Sequence, residues 1–151
     1  MDTDTLLNFI VSAKKHTYAS DSKGVKSSVP GSHEFNFRDG IMEYRDIYFG
    51  MASFNGIETV YSKGSPVWGM VYSGGVMDEA VDTDGIYKFL KQCLSLISME
   101  APFRGPKSYS DGIYLYDNDF SGDIFHFMGY EKIDDGENTL YELHYSGGEI
   151  L

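Results

Sequence analysis

The sequence is poor in cysteine, in long apolar runs and in positive charge, and each shortage excludes a class of protein. Cys93 is the single cysteine, so an internal disulfide is impossible. Because Cys93 falls in an apolar helical stripe, we expect a buried, unreactive thiol and a reducing compartment. No stretch is long enough to cross a bilayer. Residues 5–13 are interrupted by Asn8 and Ser12 and followed by Lys14-Lys15, unlike a signal peptide. We therefore expect a cytoplasmic protein with no membrane partner.

Lysine and arginine number 12 against 23 aspartates and glutamates, which gives a formal net charge of -11. The imbalance is concentrated in residues 111–151, where ten acidic residues accompany Lys132 alone. Duplex nucleic acid is a poor partner for such a surface, because phosphate binding relies on clustered Lys and Arg. The acidity serves solubility, or it provides an acidic face that docks a basic protein.

Aromatic residues are what the chain has in quantity: 12 Tyr, 10 Phe and one Trp within 151 residues. This composition predicts a packed, sheet-rich domain over residues 1–151, without a disulfide or metal to stabilise it. Residues 20–32 mix Ser, Lys, Gly and Pro without periodicity, which predicts an exposed loop.

Hydrophobic periodicity predicts two helices separated by strands. The first helix spans residues 5–17, and the second starts at Asp82 or Thr83 and ends before Pro102. Asp39-Gly40 and Asn55-Gly56 are signatures of two-residue hairpin turns. We expect an α+β fold, a curved antiparallel sheet of about seven strands with two helices in the order α-β4-α-β3. The expected strands cover 33–38, 41–49, the arms 51–54 and 57–61, then 67–72, 113–116, 124–130 and 140–145.

The first hairpin places a polar pair at the end of an aromatic face. If Arg38 pairs with Ile41 across a type I′ turn, Phe35 lies opposite Tyr44, and His33 lies opposite Asp46 on the same face. Buried polar groups need partners, and paired groups in clefts are frequent functional sites. The candidate ligand-binding set therefore comprises His33, Tyr44, Asp46, Tyr48, Trp68, Met70, Tyr72 and Arg104.

Two interpretations of the aromatic face stay open. It forms a small-molecule pocket in which Tyr44, Tyr48 and Trp68 pack against a planar ligand, or it is filled core with Asp46 satisfying His33. His33 and Asp46 also allow general acid–base catalysis, although no nucleophile accompanies them. The pattern favours a binding module over an enzyme.

Two further loops carry charge that could serve a ligand. Arg104, in a loop before acidic strands, offers a guanidinium for an anionic group or simply holds those strands. Asp117, Asp119, Ser121 and Asp123 match the front half of a calcium loop, but Met128 stands where that loop needs a bidentate Glu. We predict neither a metal site nor a cofactor.

Six segments of the sequence carry a resemblance to a known family: AKKHTYA (13–19), PGSH (30–33), RDIYFG (45–50), PVWGMVYSGG (66–75), FRGP (103–106) and YELHYSGG (141–148). Together they resemble a bacterial family of unknown function, whose domain occurs alone or behind a Cro/CI-type (XRE) helix-turn-helix. The resemblance implies a self-contained domain and a possible sensor role with a regulatory protein partner, which we expect to be a separate chain. Tyr72-Ser73-Gly74-Gly75 and Tyr145-Ser146-Gly147-Gly148 also repeat each other, a short match that favours internal duplication only weakly.

Overall fold

The computed structural model describes residues 2–17, 23–77 and 82–151 and contains two helices and one eight-stranded antiparallel sheet. The strand order across the sheet is β1-β2-β3-β4-β8-β7-β6-β5. The elements are α1 (Thr3–His16), β1 (His33–Asp39), β2 (Met42–Gly50), β3 (Ser53–Ser62), β4 (Ser65–Val76), α2 (Thr83–Ser95), β5 (Ser108–Asp111), β6 (Tyr114–Asp123), β7 (His126–Asp134) and β8 (Thr139–Glu149).

Both helices are capped at the N-terminal end by an aspartate, and both pack on the same face of the sheet. The Asp2 side chain accepts the Asp4 backbone N–H at 3.1 Å, and the Asp82 side chain accepts that of Gly85 at 3.0 Å. The apolar stripes of both helices join the inward-facing strand residues in one hydrophobic core. Neither helix in the described ranges has the length and apolarity needed to cross a bilayer.

The α+β class and the antiparallel sheet are confirmed, and the prediction of about seven strands missed β5. This four-residue edge strand is polar and has no apolar alternation to reveal it. Of the predicted loop 20–32, residues 20–22 lie outside the described residues, and 23–32 are exposed apart from half-buried Ser27 and Ser32.

The turn predicted at Asn55-Gly56 is wrong, because both residues lie inside β3. Gly56 is there for a different reason: a Cβ on it would stand 2.4 Å from the Tyr72 hydroxyl oxygen and 2.7 Å from the Ile47 carbonyl oxygen. Glycine at this position allows the Tyr72 ring to lie directly over the neighbouring strand.

The register predicted for the first hairpin is also wrong, although its face assignment is right. Asp39 pairs with Met42, so Gly40 and Ile41 form the loop, and Gly40 alone takes a positive φ of 56°. That pattern matches a type II′ turn better than type I′. His33 consequently pairs with Tyr48, and Asp46 pairs with Phe35. Because partners shift by two residues, each side chain keeps its predicted face.

The chain consists of two α-β4 units related by a pseudo-twofold axis between β4 and β8. Tyr72 and Tyr145, which hold equivalent positions, pair with each other at this axis. The row Tyr48–Gly56–Tyr72 recurs as Phe120–Gly129–Tyr145, and the row Asp46–Glu58–Met70 recurs as Asn118–Glu131–Leu143. The backbone repeats as well: Gly50 and Gly122 both have φ 91°, and Gly75 and Gly148 both have φ 155°.

Candidate functional site

A cleft of about 270 Å³ lies between α2 and the first half of the sheet. Strands β1 to β4 supply its floor and one wall, α2 supplies the other wall, and the loop after α2 contributes Arg104. The lining residues are Phe35, Asp46, Tyr48, Gly50, Met51, Phe54, Tyr72, Tyr87, Leu90, Lys91, Leu94 and Arg104.

Aromatic rings form most of the cleft's surface. Phe54 lies edge-on to both Tyr72 and Tyr87, with ring centroids 6.1 Å apart in each case. Phe35 stacks on Tyr48 at 6.3 Å. The Tyr87 hydroxyl donates to the Met51 carbonyl at 2.7 Å, which fixes its ring on α2 against the sheet. These contacts hold the walls of the cleft in position.

Asp46 is the polar group at the bottom of this cleft. Its carboxylate accepts a hydrogen bond of 2.6 Å from the Tyr72 hydroxyl and is almost fully buried. Burial, reinforced by the nearby charge of Glu58, raises the pKa of Asp46 to about 7. The carboxyl therefore exchanges a proton near neutral pH. Burial, together with the smaller effect of the Asp46 charge, raises the pKa of Tyr72 well above its ordinary value. The Tyr72 hydroxyl therefore remains protonated and acts as a donor.

A buried ion pair lies directly behind Asp46. Lys14 from α1 places Nζ 2.8 Å from Glu58 Oε2, and both side chains are fully buried. Lys14 Nζ also donates to the Phe103 carbonyl, and it lies over the Trp68 ring at 5.9 Å. Burial lowers the pKa of Lys14, and the charge of Glu58 opposes this shift. Within the described residues, Glu58 Oε1 has no hydrogen-bond partner.

A second buried ion pair joins Arg104 to Glu131. Arg104 Nε and Nη2 donate to Glu131 Oε1 at 3.1 and 2.6 Å. The hydroxyls of Tyr116 and Tyr141 also donate to the Glu131 carboxylate, at 2.6 and 2.9 Å. Glu131 is therefore fully satisfied, in contrast to Glu58, and Arg104 bridges this network to the cleft through the Tyr72 ring, 5.9 Å from its guanidinium.

Sequence reasoning missed Lys14, Glu58 and Glu131 as members of the site. Glu58 and Glu131 alternate with apolar inward-facing residues on β3 and β7, and this alternation is the signal that could have placed them on the core face. Lys14 sits beside Ala13 at the edge of the apolar stripe of α1, where a lysine usually extends to solvent. Its burial depends on the acid opposite, which no local pattern reveals.

In the second half of the molecule, among the residues that the structure describes, Phe103 occupies the space equivalent to the cleft. The Phe103 ring stacks face to face on Phe127 at 3.7 Å and lies edge-on to Phe120 at 5.2 Å. It also contacts Tyr145, with centroids 6.4 Å apart. The first-half equivalents of these three partners are Phe54, Tyr48 and Tyr72, and all three line the cleft. The fold thus contains one aromatic niche that is filled by its own chain and one that is open.

The predicted site residues divide into three groups. Asp46, Tyr48, Tyr72 and Arg104 line the cleft. Tyr44, Trp68 and Met70 are buried in the core, where the Trp68 indole N–H donates to the Ile124 carbonyl at 3.0 Å. His33 is exposed and stacks on Tyr48 with ring centroids 4.9 Å apart.

The expected pairing of His33 with Asp46 is therefore wrong in this structure. The changed hairpin register brings His33 opposite Tyr48, and the partner of Asp46 is Tyr72 from β4. No hydrogen bond or ion pair joins the imidazole to the carboxylate among the described residues.

The acidic segment 117–123 belongs to β6 and pairs with β7 along its length. Asp117, Asp119, Ser121 and Asp123 point away from the helices, and in the described ranges no group of three or more potential ligands is arranged for a metal ion. Cys93 is buried in the core, and burial raises the pKa of its thiol to about 12.

No curated protein and no solved structure matches the chain. Residues 46–150 match the family model described as a domain of unknown function, DUF5680. The matched segment starts at Asp46 on the cleft floor and contains both copies of the niche. Because it covers more than half of the sequence, the chain belongs to the DUF5680 family.

Proposed function

We propose that the protein is a small-ligand-binding module whose ligand occupies the cleft between α2 and β1–β4. The observation that carries the proposal is the contrast between the two halves. One aromatic niche holds Phe103, and its symmetry equivalent is an open cleft of about 270 Å³ with matching walls. An aromatic ligand ring against Phe54 would reproduce the contact that Phe103 makes with Phe127.

The size of the cleft supports a ligand of one or two rings. Pockets for drug-sized ligands usually measure roughly 300 to 1,000 Å³. An engineered cavity of about 150 Å³ is large enough to bind benzene. The cleft falls between these values, and its lining is apolar apart from Asp46, the tyrosine hydroxyls, Lys91 and Arg104.

The choice of residue on the cleft floor also supports a binding role. Asn118 holds the equivalent position in the other half, where it accepts the Tyr145 hydroxyl at 2.8 Å, as Asp46 accepts that of Tyr72. An amide therefore satisfies the same tyrosine without the free energy needed to bury a carboxylate. Groups that destabilise a fold are concentrated where function requires them.

We further propose that ligand binding serves a sensor role in a bacterial, cytoplasmic setting, with a regulatory protein as partner. The resemblance to domains found behind helix-turn-helix segments supports this use. The acidic-interaction alternative rests on the net charge of -11 alone. The enzyme alternative depended on a His33–Asp46 pair, and the structure pairs Asp46 with Tyr72 instead. No other base is aligned with Asp46 among the described residues.

The test is a binding screen by protein NMR on the intact chain. The probes are one- and two-ring compounds of each charge type, including indole, benzamidine, benzamide and benzoate. We expect amide shifts confined to the residues that line the cleft. A panel in which no compound shifts these residues, or in which shifts cluster on the opposite sheet face, would overturn the proposal.

A matched pair of variants gives an independent measurement. Leu94 lines the cleft on α2, so Leu94→Trp should fill the space and weaken probe binding by more than tenfold. Leu96 is exposed at the C-terminal end of the same helix, so Leu96→Trp should leave binding unchanged. Circular dichroism checks both folds. If Leu94→Trp fails to fold, the shift map of the unmodified protein still decides the question.

A further inference from the structure

We propose that the cleft takes a planar organic cation, whose N–H groups donate to Asp46 while its ring packs on Phe54. This inference rests on the proposed ligand-binding function and specifies the chemistry of the ligand. It follows from the charge balance beneath the cleft, from the hydrogen-bonding state of Asp46 and from the aromatic walls.

Among the residues that the structure describes, the buried charges beneath the cleft leave the Asp46 carboxylate without a paired cation. Lys14 is paired with Glu58, and Arg104 is paired with Glu131. Asp46, the remaining acid of this cluster, has a neutral Tyr72 hydroxyl as its hydrogen-bond partner. With a proton on Asp46 the cluster is neutral, and without it the cluster carries one net negative charge. A cationic ligand would supply the missing charge in place of that proton.

The carboxylate has room for donors from the cleft. A carboxylate can accept about four hydrogen bonds through its two oxygens, and Tyr72 donates to Oδ1 alone. A planar group with two parallel N–H donors, such as an amidinium or guanidinium, matches the geometry of a carboxylate. The chain uses this pairing itself where the Arg104 guanidinium meets Glu131.

The cleft walls favour a delocalised cation with an apolar body. Phe35, Tyr48, Phe54 and Tyr72 come from four neighbouring strands and surround the approach to Asp46. Aromatic faces attract cations by their quadrupoles, most strongly where water is excluded. The hydroxyl of Tyr87, on the opposite wall, is already committed to carbonyls of residues 51 and 52.

The other charged groups facing Asp46 do not provide a site for an anion. From α1, Lys14 is engaged with Glu58 on β3, and both act on Asp46 at a distance. From the loop after α2, the Arg104 guanidinium donates to Glu131. From α2, Lys91 is half-exposed at the wall, where water screens its charge. Of the described charged residues that line the cleft, Asp46 lies at its bottom, Arg104 donates to Glu131, and Lys91 lies half-exposed on α2, so an anionic ligand at the floor would meet the Asp46 carboxylate.

Binding of such a cation should release the Asp46 proton. Because the pKa of Asp46 is about 7, the ionised fraction rises about tenfold between pH 6 and pH 8, and affinity for a permanent cation should rise with it. Tyr48 and Tyr72 do not titrate in this range, since burial raises the pKa of each. The expected pH dependence therefore belongs to the carboxyl.

The test compares three probes of nearly identical shape: benzamidine, benzamide and benzoate. Calorimetry on the intact protein at pH 8 should give benzamidine at least tenfold tighter binding than benzamide, with no benzoate binding. Titrations in two buffers of different ionisation enthalpy should report proton release at pH 6.5. Asp46→Asn should abolish the benzamidine preference, while Asp119→Asn, which removes an exposed acid from β6, should preserve it.

The outcomes separate this inference from the proposed function. If benzamide or benzoate binds the cleft as tightly as benzamidine, the cation is refuted and the ligand-binding cleft stands. If none of the three shifts the cleft residues in NMR spectra, and the wider panel also fails, the function itself is refuted. If Asp46→Asn does not fold, absence of the rise in benzamidine affinity from pH 6 to pH 8 in the unmodified protein would refute the cation alone.

Discussion

Replacing Asp46 by Asn should remove the pH dependence of stability that this carboxyl imposes. The pKa of Asp46 is about 7 in the folded protein, against an ordinary value of 3.8. The folded state binds the Asp46 proton more tightly than the unfolded chain does. The stabilisation from this proton is therefore complete at low pH and is lost as pH rises through 7. This difference in pKa lowers the free energy of unfolding by about 4 kcal/mol above pH 7, relative to low pH. About 3 kcal/mol of that loss falls between pH 5 and pH 8.

The Asn side chain carries no titrating proton, and Asn118 demonstrates that an amide fits this position. The free energy of unfolding of Asp46→Asn, measured relative to the unmodified protein, should therefore rise by about 3 kcal/mol between pH 5 and pH 8. Urea denaturation at pH 5, 6, 7 and 8 measures it directly. The other titratable groups are the same in both proteins.

Asp119→Asn is the matched control, because it removes the same charge from an exposed position. Its stability relative to the unmodified protein should change by less than about 0.5 kcal/mol over the same range. Parallel stability curves for the unmodified protein and Asp46→Asn would refute the reasoning. They would mean that Asp46 is ionised at pH 5 in the folded state, and that the buried charge balance is not the one described above.

Two further substitutions test the buried framework. Lys14→Met should cost about 3 to 5 kcal/mol in urea denaturation, because it leaves Glu58 buried without its cation. Adding Glu58→Gln should recover part of the loss, whereas a single-variant cost below 1 kcal/mol would contradict a buried pair. Phe103→Ala should cost about 3 to 5 kcal/mol and open a second niche beside Phe127. Indole should then raise the melting temperature of this variant more than that of the unmodified protein, and equal shifts would argue against equivalent niches.

Local sequence patterns correctly predicted the helices and strands whose caps and apolar periodicity lie within a few consecutive residues. Both helices have an aspartate cap and an apolar stripe, and both appear within two residues of the predicted starts. Alternating residues likewise placed β1, β2 and β4 in the antiparallel sheet. These signals are local, so no knowledge of the partner surface was needed.

The errors in the predicted turn and in the hairpin register arose at glycines that can have two different structural roles. A glycine after Asn or Asp predicts a tight turn, yet Gly56 is required because the Tyr72 ring lies over it. A positive φ at Gly40 is compatible with either central position of a two-residue turn. Moving Gly40 from one position to the other shifts the cross-strand partner of each residue by two. The face assignment survived because a shift of two preserves side-chain direction, but the proposed partner of Asp46 changed.

The depth of the site could not be predicted from the strands alone. Asp46, Tyr48, Trp68 and Met70 were assigned to one face, but Trp68 and Met70 are buried in the core while Asp46 and Tyr48 border the cleft. Which part of a sheet face stays open depends on where the helices and the loop containing Phe103 pack. That packing is a tertiary property, and a periodic pattern carries no information about it.

The internal symmetry turns the second half of the molecule into a reference for the first. Equivalent positions that keep the same residue, such as Tyr72 and Tyr145, satisfy demands that both halves share. Positions that differ are where the two halves have different surroundings. Asn118 closes a filled niche by donating to the Gly105 carbonyl at 2.8 Å, whereas the ionised form of Asp46 only accepts hydrogen bonds and lines an open cleft. An ionised carboxylate at the base of an aromatic cleft has acceptor capacity beyond the Tyr72 hydroxyl, and this difference of one side chain is the strongest support for the proposed binding role.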